Sequence, residues 1–86
     1  MKISIIVPCH VDNNIVRECL EKIVEQKNDH ELIIPCDNFD FIYNQAKVIK
    51  SQKKIFANGI RNFGADYASG DYILFLDSDI IIEEGF

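Results

Sequence analysis

Short apolar runs separated by amphipathic segments are the main feature of this chain. One of them, Tyr72–Leu76, is an unbroken apolar run too short for a buried helix, and the β-branched segment Ile3–Val7 predicts a first buried strand. Unbroken apolar runs of this length are typical of strands covered on both faces of a parallel sheet. A third run, Glu31–Ile34, predicts another strand. Pro8 and Pro35 are expected to end the first two strands, because proline has no amide hydrogen for the ladder.

The segments between these runs carry helical patterns. A stripe with helical spacing predicts a first helix ending near Gln26, and its apolar members are Ile15, Cys19, Leu20, Ile23 and Val24. Asp12, Asn13 and Asn14 offer N-cap oxygens for it, with Asp12 favoured as a cap rather than a ligand contact. A strand, a helix and a strand with short connections predict a right-handed crossover and a parallel strand pair.

The later half repeats this alternation less clearly. A weak stripe predicts a second helix over about 39–49, from Phe39, Ile42, Ala46 and Ile49. Residues 55–57 then predict a short third strand. A stronger stripe predicts a last helix, from Ile60, Phe63, Gly64, Tyr67 and Ala68. Gly64 should let that helix approach the sheet closely, and Gly70 should end it as a left-handed cap.

Composition and charge narrow the function classes. The chain has 86 residues, 48% of them hydrophobic, which suits a single small α/β domain over 1–86. Its net charge of −5 and lack of a basic stretch argue against a nucleic-acid partner. No apolar run is long enough for a signal peptide core or a membrane span. Three cysteines without metal spacing indicate reduced thiols and a cytoplasmic location.

Two carboxylates follow the most apolar run. Asp77 and Asp79 lie two residues apart, so they point the same way if the strand continues. Open α/β sheets bind ligands at the carboxyl ends of their strands, where paired carboxylates can hold a divalent cation and, through it, a phosphate. The same acids suit a solvated turn or a helix cap equally well. Their spacing alone does not decide between these interpretations.

Four blocks in order carry a family resemblance. They are Ser4–Pro8, Glu31–Ile34 followed by Asp37, Arg61–Ala65, and Ala68–Asp79. Their order and spacing resemble the amino-terminal, nucleotide-binding half of the inverting GT-A glycosyltransferases of family two, and the resemblance covers the whole chain. It implies a Rossmann-like half-domain with a mostly parallel sheet of order 3-2-1-4 and helices on both faces. Because the family's later half supplies the acceptor site, the domain is expected to be truncated.

The resemblance also implies a donor site. By position in the family's motifs, Pro8, His10 and Asp37 hold the nucleoside, with Asp37 accepting from the uracil ring of a UDP-sugar. Arg61 lies near the nucleotide and Asp77 faces the ribose. Asp79, together with Asp77, forms the metal-binding Asp-x-Asp for Mn²⁺ or Mg²⁺. The metal would neutralise a diphosphate leaving group that an acidic protein would otherwise repel.

Two departures from the family pattern weaken the assignment of uracil as the nucleobase of the donor. His10-Val11 stand where an aromatic residue and Asn are usual, and Cys36-Asp37-Asn38 stand where two acids before Gly-Ser are usual. Binding of a sugar nucleotide in general is therefore better supported than uracil in particular. The catalytic base belongs to the family's later half, so none is assigned, and the 86-residue chain is expected to transfer no sugar by itself.

Two other functions remain as alternatives. A nucleotidyltransferase can share this half-fold, but it should carry a Gly-rich basic loop after the first strand, and residues 8–14 contain neither Gly nor Lys. A non-catalytic interaction domain would use the sheet only as a scaffold. For the glycosyltransferase, the expected acceptor is a saccharide or a lipid-linked molecule, and the location can include the membrane periphery for the longer enzyme. The apolar fourth strand also predicts a homo-oligomer.

Overall fold

A parallel sheet with one helix on each face forms the fold. The computed structural model describes residues 2–26, 29–37, 39–51 and 57–77. The elements run β1 (Ile3–Ile6), α1 (Asn14–Val24), β2 (His30–Cys36), β3 (Lys47–Lys50), α2 (Ala57–Ala65) and β4 (Tyr72–Phe75). All three strand pairings are parallel, in the order β3-β2-β1-β4. The predicted sheet order and the helices on both faces are confirmed.

Helix α1 covers one face of the sheet with the main apolar core. Asn13 caps the helix, and its Oδ1 accepts from the Val16 amide at 2.9 Å, satisfying one of the amides that lack an intrahelical partner. Most of the predicted stripe faces inward, where Leu20 and Ile23 are fully buried against Ile5 and Ile34. The prediction is wrong at Ile15, which is 62% exposed, and Val16 is buried instead. Burying each such side chain stabilises the fold by roughly 1.5–3 kcal/mol.

Helix α2 lies unusually close to the other face. A Cβ placed on Gly64 would come within 2.8 Å of Ile6 Cγ2 and 2.9 Å of Pro35 Cγ. Ile60, one helical turn earlier, is fully buried. The absence of a side chain at Gly64 therefore sets the distance between α2 and the sheet, as the sequence predicted.

The segment between β2 and α2 differs from the prediction. No helix forms over 39–49. Instead Phe39, Phe41 and Tyr43 place their rings in a chain, with centroid separations of 6.2 Å and 6.4 Å, and β3 follows at Lys47–Lys50. The three aromatic residues alternate at period two, which conflicts with a helical stripe, although the strand itself begins only at Lys47. The third strand predicted at 55–57 is wrong at Ala57, which begins α2, and residues 55 and 56 lie outside the described residues.

Two expectations about backbone conformation are also wrong. Pro35 does not end β2, which runs to Cys36. Although Pro35 has no amide hydrogen, its carbonyl oxygen still accepts a hydrogen bond from the Cys9 amide at 2.9 Å. Helix α2 ends at Ala65, and Gly70 does not adopt a left-handed φ. Gly70 is required instead for close approach, since its Cβ would lie 2.7 Å from Ser4 Oγ and 2.8 Å from the Ser4 amide nitrogen.

A network of hydrogen bonds joins β4 to β1 at their amino ends. The Gly70 amide donates to the buried Ser4 hydroxyl at 2.8 Å, and the Asp71 amide donates to the Lys2 carbonyl at 2.8 Å. Ser69 donates from both its amide and its hydroxyl to the Glu31 carboxylate. These contacts fix the register in which β4 pairs with β1, and hence the height at which Asp77 leaves the sheet.

The two edges of the sheet differ in polarity. Strand β3 carries Lys47 and Lys50 as exposed residues at its ends. Strand β4 exposes Tyr72 (57%), Ile73 (46%) and Phe75 (42%). Within the described part of the chain, β4 has a hydrogen-bonded neighbour on one side only. None of the described helices has the length and apolar character needed to cross a membrane.

Candidate functional site

The candidate site lies at the carboxyl edge of the sheet, where the strand order reverses. The chain moves from β1 outward to β2 and β3, and then returns to β4 on the other side of β1. In open α/β sheets such a reversal leaves a crevice beyond the strand ends, and ligands bind there. His10 follows β1, Asp37 follows β2 and Asp77 follows β4. Because the strands are parallel, all three residues leave the sheet at the same edge.

An ion pair stands at the β4 side of this edge. Arg61 Nη2 donates to Asp77 Oδ1 at 3.0 Å, and both side chains remain accessible, with 41% and 60% of their surfaces exposed. Arg61 comes from the middle of α2, the helix that leads back to β4. The structure therefore brings Arg61 and Asp77, two of the predicted site residues, into contact, with a guanidinium and a carboxylate accessible to solvent.

A second pair stands at the β2 side. His10 Nδ1 lies 3.4 Å from Asp37 Oδ2, and the Asp37 side chain is only 6% exposed while that of His10 is 51% exposed. Backbone hydrogen bonds fix both residues, because Cys9 and Cys36, immediately before them, form a parallel bridge. Asp37 follows β2 and Asp77 follows β4, and β1 lies between these two strands. The two strands are therefore roughly 10 Å apart, which is twice the spacing between neighbouring strands.

Buried residues support these two pairs from below. Pro8 is among these buried residues. Its predicted contact with a nucleoside stays a prediction. Cys9 and Cys36 are fully buried, and their thiols contact each other: the contact lowers the pKa of Cys9, while the same contact and burial raise that of Cys36. The Cys19 thiol of α1 reaches the Asp77 carbonyl at 3.9 Å.

Sequence reasoning missed the roles of Cys19 and Ser4. Cys19 appeared only as a member of an apolar stripe, although its thiol joins α1 to the residue after β4. Ser4 is a polar residue inside an apolar strand, and its full burial against the Gly70 amide explains it. A hydroxyl within a buried run was the available signal, because such groups are almost always hydrogen-bonded.

The residues present fit a divalent cation bound together with phosphates. Asp77 offers exposed carboxylate oxygens, the hard ligands that Mg²⁺ and Mn²⁺ prefer. Among the described residues no three His, Cys, Asp or Glu side chains cluster as a complete metal cage. A Mg²⁺ ion held by one or two carboxylates and substrate phosphates does not need such a cage. Asp79, the second predicted ligand, lies outside the described residues.

A separate cavity of about 320 Å³ opens at the opposite, amino edge of the sheet. Its lining includes Val24, Leu32, Asn44 and Lys47, from the end of α1 and the starts of β2 and β3. It shares no residue with the two pairs described above. The candidate site at the carboxyl edge is therefore separate from this cavity.

The fold is a Rossmann-like α/β half-domain with a parallel sheet, and comparison with a solved structure agrees with it. The chain superimposes on S. aureus TarS with a TM-score of 0.77 at 25% identity, covering 92% of this chain and 17% of TarS. The profile of glycosyl transferase family 2 matches residues 4–86. The chain belongs to glycosyl transferase family 2, which confirms the resemblance and the GT-A fold.

Two further relatives have similar sequences along nearly the whole chain. The poly(ribitol-phosphate) beta-glucosyltransferase of Bacillus spizizenii is 35% identical over 94 residues, covering 92% of this chain and 15% of that enzyme. The glycosyltransferase GlyG of Streptococcus pneumoniae is 31% identical over 94 residues, covering 95% of this chain and 31% of GlyG. The chain thus spans less than a third of the length of either relative.

Proposed function

We propose that this chain is the donor-binding region of a glycosyltransferase, and that it binds a nucleoside diphosphate sugar across the crevice between β1 and β4. The observation that carries the proposal is the placement of Arg61–Asp77 and His10–Asp37 on the two sides of that crevice in a family 2 chain. The buried Asp37 carboxylate suits hydrogen-bond donors of a base. The exposed Arg61–Asp77 pair suits the ribose and diphosphate.

In this proposal the divalent cation, Mn²⁺ or Mg²⁺, is held by Asp77 and Asp79. When bound, it neutralises the diphosphate and makes it a better leaving group. The remaining work falls to the chain's own side chains. Arg61 would turn from Asp77 toward a phosphate oxygen. Breaking the ion pair costs little free energy, because both side chains are already partly solvated.

Sugar transfer itself is proposed for the longer protein rather than for these residues alone. The acceptor would be a saccharide or a lipid-linked molecule, met at the cytoplasmic side. No described residue is assigned as the base that deprotonates the acceptor hydroxyl, so the expectation that the 86-residue chain is inactive alone stays a prediction. The nucleotidyltransferase alternative is disfavoured by the loop after β1, because residues 8–14 contain neither Gly nor Lys.

Calorimetry with UDP tests the proposal. We expect binding in the presence of Mn²⁺ and a loss of affinity of at least about tenfold in EDTA, since the metal carries the contact with the diphosphate. The Asp77→Asn variant should lose affinity to a similar extent. Asp66→Asn, an exposed aspartate just after α2, serves as the matched control and should bind as the parent does. Unchanged binding in both EDTA and Asp77→Asn would contradict the metal role.

A further inference from the structure

An arginine already contacts the carboxylate that is proposed to hold the cation. Arg61 Nη2 donates to Asp77 Oδ1 at 3.0 Å, and the two side chains are 41% and 60% exposed. A cation bound at Asp77 would therefore meet a guanidinium within hydrogen-bond distance of its own ligand. Because charges of the same sign repel each other, the arginine lowers the affinity of this carboxylate for a divalent cation.

The backbones of both residues are held in place, so a change of partner involves only their side chains. The Leu76 amide, immediately before Asp77, donates to the Ile6 carbonyl at 3.0 Å. Ile60, immediately before Arg61 in α2, is fully buried. The arginine is therefore anchored at its Cα while its guanidinium stays accessible to solvent. Rotation about its side-chain bonds is enough to take it from one partner to another.

A diphosphate is a stronger partner for this guanidinium than Asp77 is. Arginine pairs with phosphate oxygens through two parallel, charge-assisted hydrogen bonds. An exposed ion pair such as Arg61–Asp77 is weak, so it yields readily to such a competitor. Once the guanidinium has moved to the diphosphate, Asp77 is free to hold a cation that also contacts the phosphate oxygens.

We propose that Arg61 couples the two ligands of this site: it weakens binding of the cation alone and releases Asp77 when a diphosphate binds. This inference rests on the proposed function, since it assumes that cation and diphosphate meet at Asp77. Because linkage is reciprocal, each ligand then raises the affinity for the other by the same factor. In a chain with a net charge of −5, the arginine keeps an exposed carboxylate from retaining a divalent cation before the donor arrives.

Binding of Mn²⁺ without nucleotide is the first measurement, followed through the electron paramagnetic resonance signal of the free ion. Arg61→Gln should bind Mn²⁺ about threefold to fivefold more tightly than the parent, which is the range that an exposed ion pair contributes. Calorimetry with UDP at saturating Mn²⁺ is the second measurement. There the same variant should bind at least about fivefold more weakly, because it lacks the guanidinium that meets the diphosphate.

Opposite changes in the two affinities distinguish coupling from a structural role, which would weaken both or change neither. Arg61→Lys keeps the positive charge and should retain most of the coupling. Lys47→Gln removes an exposed positive charge at the amino end of β3, the opposite edge of the sheet, and should bind both ligands as the parent does.

Two results would overturn this inference and leave the proposed function standing, in a parent that binds UDP with Mn²⁺. One is an affinity of Arg61→Gln for Mn²⁺ alone that is unchanged or lower than that of the parent. The other is binding of UDP to this variant that is as tight as in the parent. A parent that does not bind UDP with Mn²⁺ overturns both the inference and the proposed function.

Discussion

A missing methyl group decides how closely α2 lies against the sheet. At Gly64 a Cβ would meet Ile6 and Pro35 side-chain atoms at 2.8 and 2.9 Å. We expect Gly64→Ala to lower the free energy of unfolding by roughly 1–2 kcal/mol, because overpacking costs more than the gain of about 1 kcal/mol in helix propensity. Denaturant unfolding followed by circular dichroism measures the change.

The control for this prediction is Asn62→Ala, two residues earlier on the exposed side of the same helix. It gains helix propensity without touching the sheet, so it should leave stability unchanged or slightly raised. Gly70→Ala should be more damaging than Gly64→Ala, since its Cβ would meet backbone atoms of Ser4 and Lys2 that cannot move aside. Equal stability of Gly64→Ala and the parent would mean that α2 can shift outward freely.

At the scale of elements, Glu31 joins β2 to the segment that enters β4. Burial opposes ionisation of Glu31, but hydrogen bonds from the Ser69 hydroxyl and amide outweigh burial, and the pKa of the carboxyl falls below its usual value. Lys2 Nζ lies 3.8 Å away and adds to the effect. The ionised form is therefore the one that stabilises the connection between the two strands.

This gives a pH dependence with a definite sign. A carboxyl whose pKa is lowered by folding stabilises the protein above its unfolded pKa, about 4.3, and loses that contribution as the pH falls through the folded pKa. We expect Glu31→Gln to be less stable than the parent by about 1 kcal/mol at pH 7, because a neutral acceptor bonds Ser69 more weakly. The difference should shrink below pH 4.

Unfolding curves at pH 7 and pH 3 check this, with Glu18→Gln on the exposed side of α1 as control. The control should show a smaller difference at pH 7. A stability gap between the parent and Glu31→Gln that stays constant from pH 7 to pH 3 would rule out the ionised carboxylate as the source.

The sequence predicted correctly those elements whose burial requires apolar residues at a regular spacing along the chain. Strands β1 and β4 and helix α1 each carry enough apolar residues to show their pattern. Strand β3 has only Val48 and Ile49 between two lysines, because an edge strand needs little apolar surface. A helical stripe through Phe39 and Ile42 then competed with the true pattern, and Ile42 proved to be 76% exposed.

The candidate site was predictable to the extent that strand ends determine it. Parallel pairing brings residues after β1, β2 and β4 to one edge, so His10, Asp37 and Asp77 could be placed together from the sequence. Their pairing could not, because it depends on the side-chain geometry above the bridge of Cys9 and Cys36. The contact from Cys19 to Asp77 joins residues 58 positions apart and leaves no local signal.

At the scale of the whole molecule, the exposed apolar surface of β4 predicts self-association. Tyr72, Ile73 and Phe75 are 57%, 46% and 42% exposed, next to an edge with no hydrogen-bonded neighbour among the described residues. Such an edge pairs readily with another strand. We expect the chain to form a dimer at micromolar concentration through β4, measurable by light scattering.

A charge on the edge should abolish this association. Ile73→Lys places an ammonium on β4 and should give a monomer, while Ile42→Lys changes an even more exposed isoleucine away from β4 and should not. A parent protein that scatters as a monomer, or an Ile73→Lys variant that remains dimeric, would show that β4 is not the contact.

The unlike edges of the sheet also limit how far association can go. Lysines at both ends of β3 oppose pairing on that side, whereas β4 invites it. A protein with one edge strand open to pairing can pair with one other copy only, by placing the same strand of both copies side by side across a two-fold axis. Growth into a continuous intermolecular sheet would require a second edge strand open to pairing on each copy. We therefore expect this asymmetry to make a closed pair the end point and to keep the apolar strand from seeding fibres.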